Sequence, residues 1–404
     1  MTEASPMAAP AAPSGATDWR AVLIVVTSGV VAALQVGKAI IALPLLRTDF
    51  ALDLGTAGWV ISVFSVIGVF GGIPAGVLVN RFGDRFICLS GLLVIASGGL
   101  LSALAPVFSL LLVARIVEGT GFLLVTVAAP ALLRRMAAPA DRDLAFGLWS
   151  AFMPAGMAIA LLCGSALTGW RSFWLVNAGL AALAVFLVAV TVPHRHGAPR
   201  QSAWTALVRD AWTTVTSPGP VLAALTFALY AMLYLALASF LPILFTERLQ
   251  VSQPVAGVLS AIVVAANISG NLVAGMLLAR GTARWRPVAF ASLVMGLCGV
   301  AIFLMPLPVL VVFLLCLIFS GVGGLLPATV LAAAPLLVPA ARLAPMGLGL
   351  VMQGSNLGQV VAPVTVGAAV DAAGWPAAAW PVGIAAALAL LLAFYLRRFP
   401  AMRR

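Results

Sequence analysis

Three charged side chains stand inside long apolar runs of this 404-residue sequence. Lys38 lies in the run 20–44, and Arg115 and Glu118 lie in the run 107–133. A charge at the centre of a bilayer costs about 2.5–3.5 kcal/mol even on the lenient insertion scale, so such residues are functional candidates by default. Lys38 is the only lysine of the chain; every other basic residue is arginine. Arg115 and Glu118 are spaced i, i+3, which puts them on neighbouring positions of one helix face. Two cations and one acid leave a single positive charge. That chemistry suits an anionic substrate held by Lys38 and Arg115, with Glu118 as a proton-carrying group. The plainer alternative is a structural Arg115–Glu118 pair, with Lys38 stretched along its helix toward the interface. At 1.5 Å per residue, Lys38 lies about 9 Å below Pro44, with Arg115 and Glu118 roughly 12 and 16 Å into their helix.

Neutral polar residues form a second set. Gln35 is one turn before Lys38. Tyr230 and Tyr234 are one turn apart, as are Asn267 and Asn271. Gln353, Asn356 and Gln359 follow one another at i, i+3 and i+6. These residues are expected to offer hydrogen bonds to a bound oxyanion. Amides in membrane helices also bond helix to helix, and that is the ordinary reading for any one of them.

The elements that must position these groups follow from composition. The chain is 63% hydrophobic and 8% charged, which no soluble domain of this size can bury. Apolar runs of bilayer-spanning length recur twelve times, at 20–44, 56–79, 86–105, 107–133, 143–167, 171–192, 220–246, 254–279, 287–305, 308–334, 344–370 and 376–396. Runs of this length cross lipid as helices. Of the 22 basic residues, Lys38 and Arg115 lie within runs. Arg47, Arg171 and Arg248 lie on one side and 17 (22 − 2 − 3) on the other. The positive-inside rule therefore expects both termini in the cytoplasm. The expected organisation is a disordered tail over 1–19, six helices over 20–192, a cytoplasmic linker over 193–219, six helices over 220–396 and a tail over 397–404. Arg209, Asp210 and Trp212 suit a linker helix lying along the membrane surface.

Other chemistry finds little support. Cys88, Cys163, Cys298 and Cys316 fall in apolar runs without metal-ligand spacing and read as small packing residues. His194 and His196 sit in the linker, so no metal site is expected. No G-x-x-x-x-G-K-[ST] loop is present, which argues against ATP-driven transport. The net charge of +11 is spread over short loops, so nucleic acid is not an expected partner. Neither cofactor nor enzymatic constellation is expected; the expected partners are a small molecule, protons and the bilayer, with the chain a monomer. A membrane channel or receptor is the alternative of another class.

The two halves echo one another. Gly76, Arg81 and Arg85 recur as Gly275, Arg280 and Arg284, shifted by 199 residues (275 − 76). Leu43-Pro44 and Leu241-Pro242 each close a span, and Gly119-x-Gly121 returns as Gly321-x-Gly323. Leu317 and Ser320 stand where the first half has Arg115 and Glu118. Duplicated halves are common in secondary transporters.

The stretch Gly76 to Phe86 resembles the loop motif G-x-x-x-D-R-x-G-R-[KR] of the major facilitator superfamily. Gly76, Arg81, Gly83 and Arg85 match, whereas Asn80 replaces the motif's Asp and Asp84 replaces an Arg. Arg115-x-x-Glu118-Gly119 resembles the family's R-x-x-x-G motif, whose arginine is linked to proton coupling. The resemblance implies an all-α membrane fold of twelve helices in two pseudo-symmetric bundles, alternating access, and a conformational latch formed by Gly76, Asn80, Arg81, Gly83, Asp84 and Arg85. It also implies a substrate site between the halves, lined by the first and fourth helices. The fifth span reads Gly147-Leu-Trp-Ser-Ala-Phe-Met-Pro-Ala-Gly and lacks the Gly-Pro pair of drug–proton antiporters. The overall texture resembles bacterial cyanate-porter-type members. The expected function is proton-coupled transport of a small organic anion across a bacterial inner membrane, with drug export as the alternative.

Overall fold

The computed structural model describes residues 16–141, 145–146, 148–149, 151–164, 169–193 and 204–403. His194, His196 and Gly147 lie outside the described residues, as does the side chain of Asn80. Among the described residues the chain is helical, with no strand.

The first half comprises α1 (Trp19–Phe50), α2 (Leu54–Phe82), α3 (Asp84–Ala103), α4 (Phe108–Met136), α5 (Phe152–Gly164) and α6 (Trp170–Thr191). A linker helix α7 (Trp204–Thr216) leads to α8 (Pro218–Ala238) and α9 (Gln253–Ala279). Then come α10 (Trp285–Leu304), α11 (Val309–Gly323), α12 (Leu325–Ala333), α13 (Ala344–Ala373) and α14 (Ala379–Leu396). Ten of the described helical stretches are long and apolar enough to cross a membrane. The other two expected spans correspond to α5, which is 13 residues long as described, and to α13. The latter is 30 residues long and carries Gln353, Asn356, Gln359 and Asp371.

The expected breaks at two prolines are corrected. α1 runs through Pro44 to Phe50. Pro44 has no N–H for the preceding turn, but its own carbonyl still accepts from Thr48 Oγ1 and the helix resumes. Lys38 is therefore twelve residues before the helix end, about 18 Å at 1.5 Å per residue, rather than near a terminus. In the second half α8 stops at Ala238, and a π-helical turn over Leu244–Arg248 follows Pro242. The tenth span breaks at Gly324, between α11 and α12. A Cβ at Gly324 would collide with the carbonyl oxygen of Asn267, so only glycine allows this approach to α9.

Two bundles result. α1 packs on α4, α5 and α6, α3 on α4 and α6, and α2 on α4. The second half repeats the pattern with α9 on α11 and α10 on α14. The loop echo is structural as well. Gly83 and Gly281 both adopt positive φ, at 90° and 76°. Arg85 Nη2 donates to the Ala189 carbonyl at 2.6 Å, near the end of α6, and Arg284 Nη1 donates to the Ala401 carbonyl at 3.0 Å, just beyond α14. The bundles meet along α2 and α13, and along α5 and α9. Their shared face uses close backbone approach. Gly58 faces the Pro363 carbonyl, Gly367 faces Gly55, and Gly68 faces the Asn356 side chain. Contact persists from Gly55 as far as Gly72, whereas a side chain at Gly76 would point into open space.

Three of the four cysteines are buried; Cys163 is exposed, so packing does not account for it. Helix α7 is present as expected, with Trp212 69% exposed and Asp210 paired to Arg342 at 3.1 Å.

Candidate functional site

The three intramembrane charges come together. Lys38 Nζ on α1 lies 3.1 Å from Glu118 Oε2 on α4, and Arg115 Nη1 pairs with the same oxygen. Gln35 joins them, since Lys38 Nζ donates to Gln35 Oε1 at 2.5 Å while Gln35 Nε2 donates to the Val31 carbonyl. Arg115 Nε donates to the Val60 carbonyl of α2 at 3.0 Å, and the guanidinium lies 4.5 Å from the ring centre of Phe64. All four side chains are fully buried.

The second oxygen of Glu118 is held by groups that sequence reasoning missed. Ser102 Oγ on α3 donates to Oε1 at 2.8 Å, and Trp174 Nε1 on α6 donates to it at 3.1 Å. The ring of Trp174 also lies 4.8 Å below Lys38 Nζ. Four donors therefore converge on one carboxylate, two cationic on Oε2 and two neutral on Oε1. Such an arrangement suits the ionised form, because a carboxylate only accepts. Desolvating an ion is offset only when its remaining lone pairs are satisfied, and here they are. One positive charge is left over, with Arg115 Nη2 buried and lacking a protein acceptor. Nothing in the spacing of Ser102 or Trp174 announces them: a tryptophan five residues into an apolar helix reads as an interfacial anchor.

The neutral polar residues other than Gln35 do not join this cluster. Asn267 Nδ2 donates to Tyr230 Oη at 3.2 Å and to the Ser320 carbonyl at 3.0 Å, while Asn271 Nδ2 donates to Asn267 Oδ1 at 3.0 Å. Tyr234 stacks on Tyr230, with ring centres 5.9 Å apart. This set lies within the second bundle. Gln353 and Asn356 belong to a third place, the contact face between α13 and α2, where they meet Gly72 and Gly68. Beside them Ser65 Oγ of α2 donates to Gln359 Oε1 at 3.1 Å. A crevice lined by Ile41, Trp170 and Phe173 among others encloses about 10 Å³. A single water needs about that much.

At the Leu54 end, two links join the bundles. Asp371 of α13 accepts from the backbone amides of Leu54 and Gly55, at 3.0 and 2.5 Å, capping α2 from the other half. Arg47 pairs with Glu247 at 2.7 Å. The contacts described for the motif loop at the opposite end lie within the first bundle. Gly83 supplies the positive-φ junction between α2 and α3. Asp84 Oδ1 accepts from the Arg85 amide and lies 3.5 Å from Arg135 Nη1, and the Arg81 guanidinium stacks on Phe82.

Two bundles, a positive-φ motif loop and a buried charge cluster define a secondary-transporter architecture. The Major Facilitator Superfamily model matches residues 25–344, and the chain belongs to that family. It is an integral membrane protein of a family of transporters. Among curated relatives, the puromycin resistance protein of Streptomyces alboniger is 31% identical over 41% of this chain and 34% of its own length. The arabinose–proton symporter of Escherichia coli is 25% identical over 43% of this chain and 36% of its own length. The chain thus spans about a third of the length of these relatives. A bacterial homologue of the human lysosomal transporter Spinster, in an inward-facing and occupied conformation, superposes with a TM-score of 0.77 at 17% identity, over 96% of this chain and 99% of that one.

Proposed function

We propose that this chain is a proton-coupled secondary transporter of small organic compounds, with Glu118 as the proton-carrying group. The observation that supports this is a fully buried carboxylate shared between Lys38 and Arg115. Within the membrane such a cluster has a cost that a purely structural pair does not require. A proton arriving at Glu118 must displace a cation from Oε2 or a neutral donor from Oε1. Either loss rearranges helices α1, α2, α4 and α6, so protonation and shape are linked through shared partners.

Alternating access then consists of the segments 20–192 and 220–396 rocking about the face between α2 and α13. With both termini and the linker in the cytoplasm, as the arginine distribution favours, the closed Leu54 end faces outward. The loop Gly76–Arg85 acts as the latch at the inner end.

Net charge favours a small organic anion as substrate. On that reading the anion competes with Glu118 for Lys38 and Arg115, and frees the acid to take up a proton. The resistance relative favours export of a drug-like compound instead. On that reading Lys38 stays with Glu118, and the substrate meets Tyr230, Tyr234, Asn267, Asn271, Gln353 and Asn356 once the bundles part.

Flux into proteoliposomes under an imposed pH gradient, screened across organic anions and cationic dyes, tests the proposal. Glu118→Gln should abolish accumulation against a gradient and retain exchange of substrate for substrate. Accumulation by Glu118→Gln would refute the assignment. Lys38→Ala should weaken binding of an anion but not of a neutral or cationic compound, which separates the two substrate classes. Lys38→Arg is not expected to restore anion binding, because the two cations differ in shape and hydration.

A further inference from the structure

Trp174 touches both Glu118 and its lysine partner. Its indole N–H donates to Glu118 Oε1 at 3.1 Å, and its ring face lies 4.8 Å from Lys38 Nζ. It is fully buried, and Trp170 packs edge-on against it at 5.4 Å between ring centres. The groups facing Glu118 come from five helices. α1 supplies Lys38 and α4 supplies Arg115, which are the charged ones. α3 supplies Ser102 and Gly98, α6 supplies Trp174, and α2 reaches the cluster through Arg115, by the Val60 carbonyl and the Phe64 ring.

The two neutral donors on Oε1 are not equivalent. A hydroxyl is donor and acceptor, so Ser102 can turn and accept a proton carried by Glu118. An indole N–H only donates. Trp174 therefore bonds well to the carboxylate and poorly to the carboxylic acid, and the rigid ring cannot turn away from a site enclosed by its neighbours. Its second contact works in the same direction, because the ring face holds Lys38 beside the carboxylate through cation–π attraction.

We propose that Trp174 is a positioning residue for proton coupling: its indole N–H holds Glu118 in the ionised form and so sets the pH at which the transporter loads its proton. This rests on Glu118 being the proton carrier. The prediction is directional. Removing the N–H while keeping an aromatic face should allow protonation at higher pH. For a hydrogen bond to a charged group the expected displacement is about one to two pH units. Ser102→Ala should move the midpoint by less, because the hydroxyl also serves the protonated form.

The test is an infrared titration of the purified full-length protein in lipid nanodiscs. The carboxyl C=O band of Glu118 is assigned by its loss in Glu118→Gln. Trp174→Phe keeps a ring beneath Lys38 and lacks the N–H. Benzothienylalanine at position 174 keeps the shape of the indole and replaces N–H by sulfur, so it serves should the smaller ring compromise folding. Both should shift the band's midpoint upward. If the band is present and its midpoint stays where it is in the unaltered protein, the role of Trp174 is refuted and Glu118 keeps its own. If Glu118→Gln removes no titrating band, the proton-carrier reading itself fails. Loss of exchange in both position-174 variants, with an unmoved midpoint, would reduce Trp174 to packing.

Discussion

The bond from Asp371 to the start of α2 is where a small change should move the whole molecule. Its carboxylate belongs to the second bundle, and the two amides it caps, Leu54 and Gly55, belong to the first. It offers acceptors to donors that no helical turn can satisfy, at the positive end of a helix dipole. Losing a cap of this kind costs about 0.5–2 kcal/mol, and a mid-range loss of about 1 kcal/mol changes a two-state ratio roughly fivefold. Asp371→Ala should therefore raise the population open at this end about fivefold relative to the closed one, and Asp371→Asn should do less. Spin labels at Leu104 and Met305, both exposed at this end, would report the separation by pulsed dipolar spectroscopy in a background lacking the native cysteines. Asp53 provides the control. It caps the same helix from inside the first bundle through the Thr56 amide, a bond that holds its carboxyl below the usual range. Asp53→Ala should weaken α2 without changing the separation. If Asp371→Ala leaves the distance distribution unchanged, or if Asp53→Ala moves it equally, the cap is not a closure contact.

Four further outcomes are expected. Cysteines placed at Leu104 and at Thr282 should label from opposite sides of the membrane, the second from the cytoplasm; labelling from one side would overturn the topology. Gly83→Val forces a branched side chain to φ 90° and ψ 150°, a strain of about 1–3 kcal/mol, and should slow transport while leaving equilibrium substrate binding intact in a binding assay. Gly58→Ala places a Cβ 2.7 Å from the Pro363 carbonyl across the two bundles, so it should favour the opposite conformation with little change in melting temperature. Gly119→Ala collides with the Phe64 carbonyl within one bundle and should lower the melting temperature.

The fold was legible because hydropathy and charge report it residue by residue. A run long enough to cross lipid must be helical, and arginines mark where it ends. Boundaries were legible only to within about two turns. Pro44 looked like a stop, yet the helix carries on past it, since the pattern does not show whether neighbouring helices sustain a broken turn. The pairing of Lys38 with Arg115 and Glu118 followed from the rarity of charge in these runs. Its neutral half did not. Ser102 and Trp174 are ordinary residues of apolar helices, and only tertiary packing turns them toward Glu118. The polar set of the second half misled for a related reason. Amides satisfied by a neighbouring helix and amides that await a substrate have the same spacing, and here Asn267 bonds Tyr230 while Gln353 and Asn356 face α2.

What connects the buried cluster to the contact between bundles is α2. On one face its Val60 carbonyl accepts from Arg115 and its Phe64 ring stacks on the same guanidinium. On another face Ser65 donates to Gln359, and Gly58, Gly68 and Gly72 lie against α13. Its first turn is capped by Asp371 from the far bundle. Close packing makes such a helix poorly compressible, so it responds to a displaced side chain by shifting as a body. A shift that frees Arg115 from Val60 changes the register of the glycines that set the approach of α13. The charge at Glu118, acting through Arg115, and the closure at Leu54 therefore meet on the same helix.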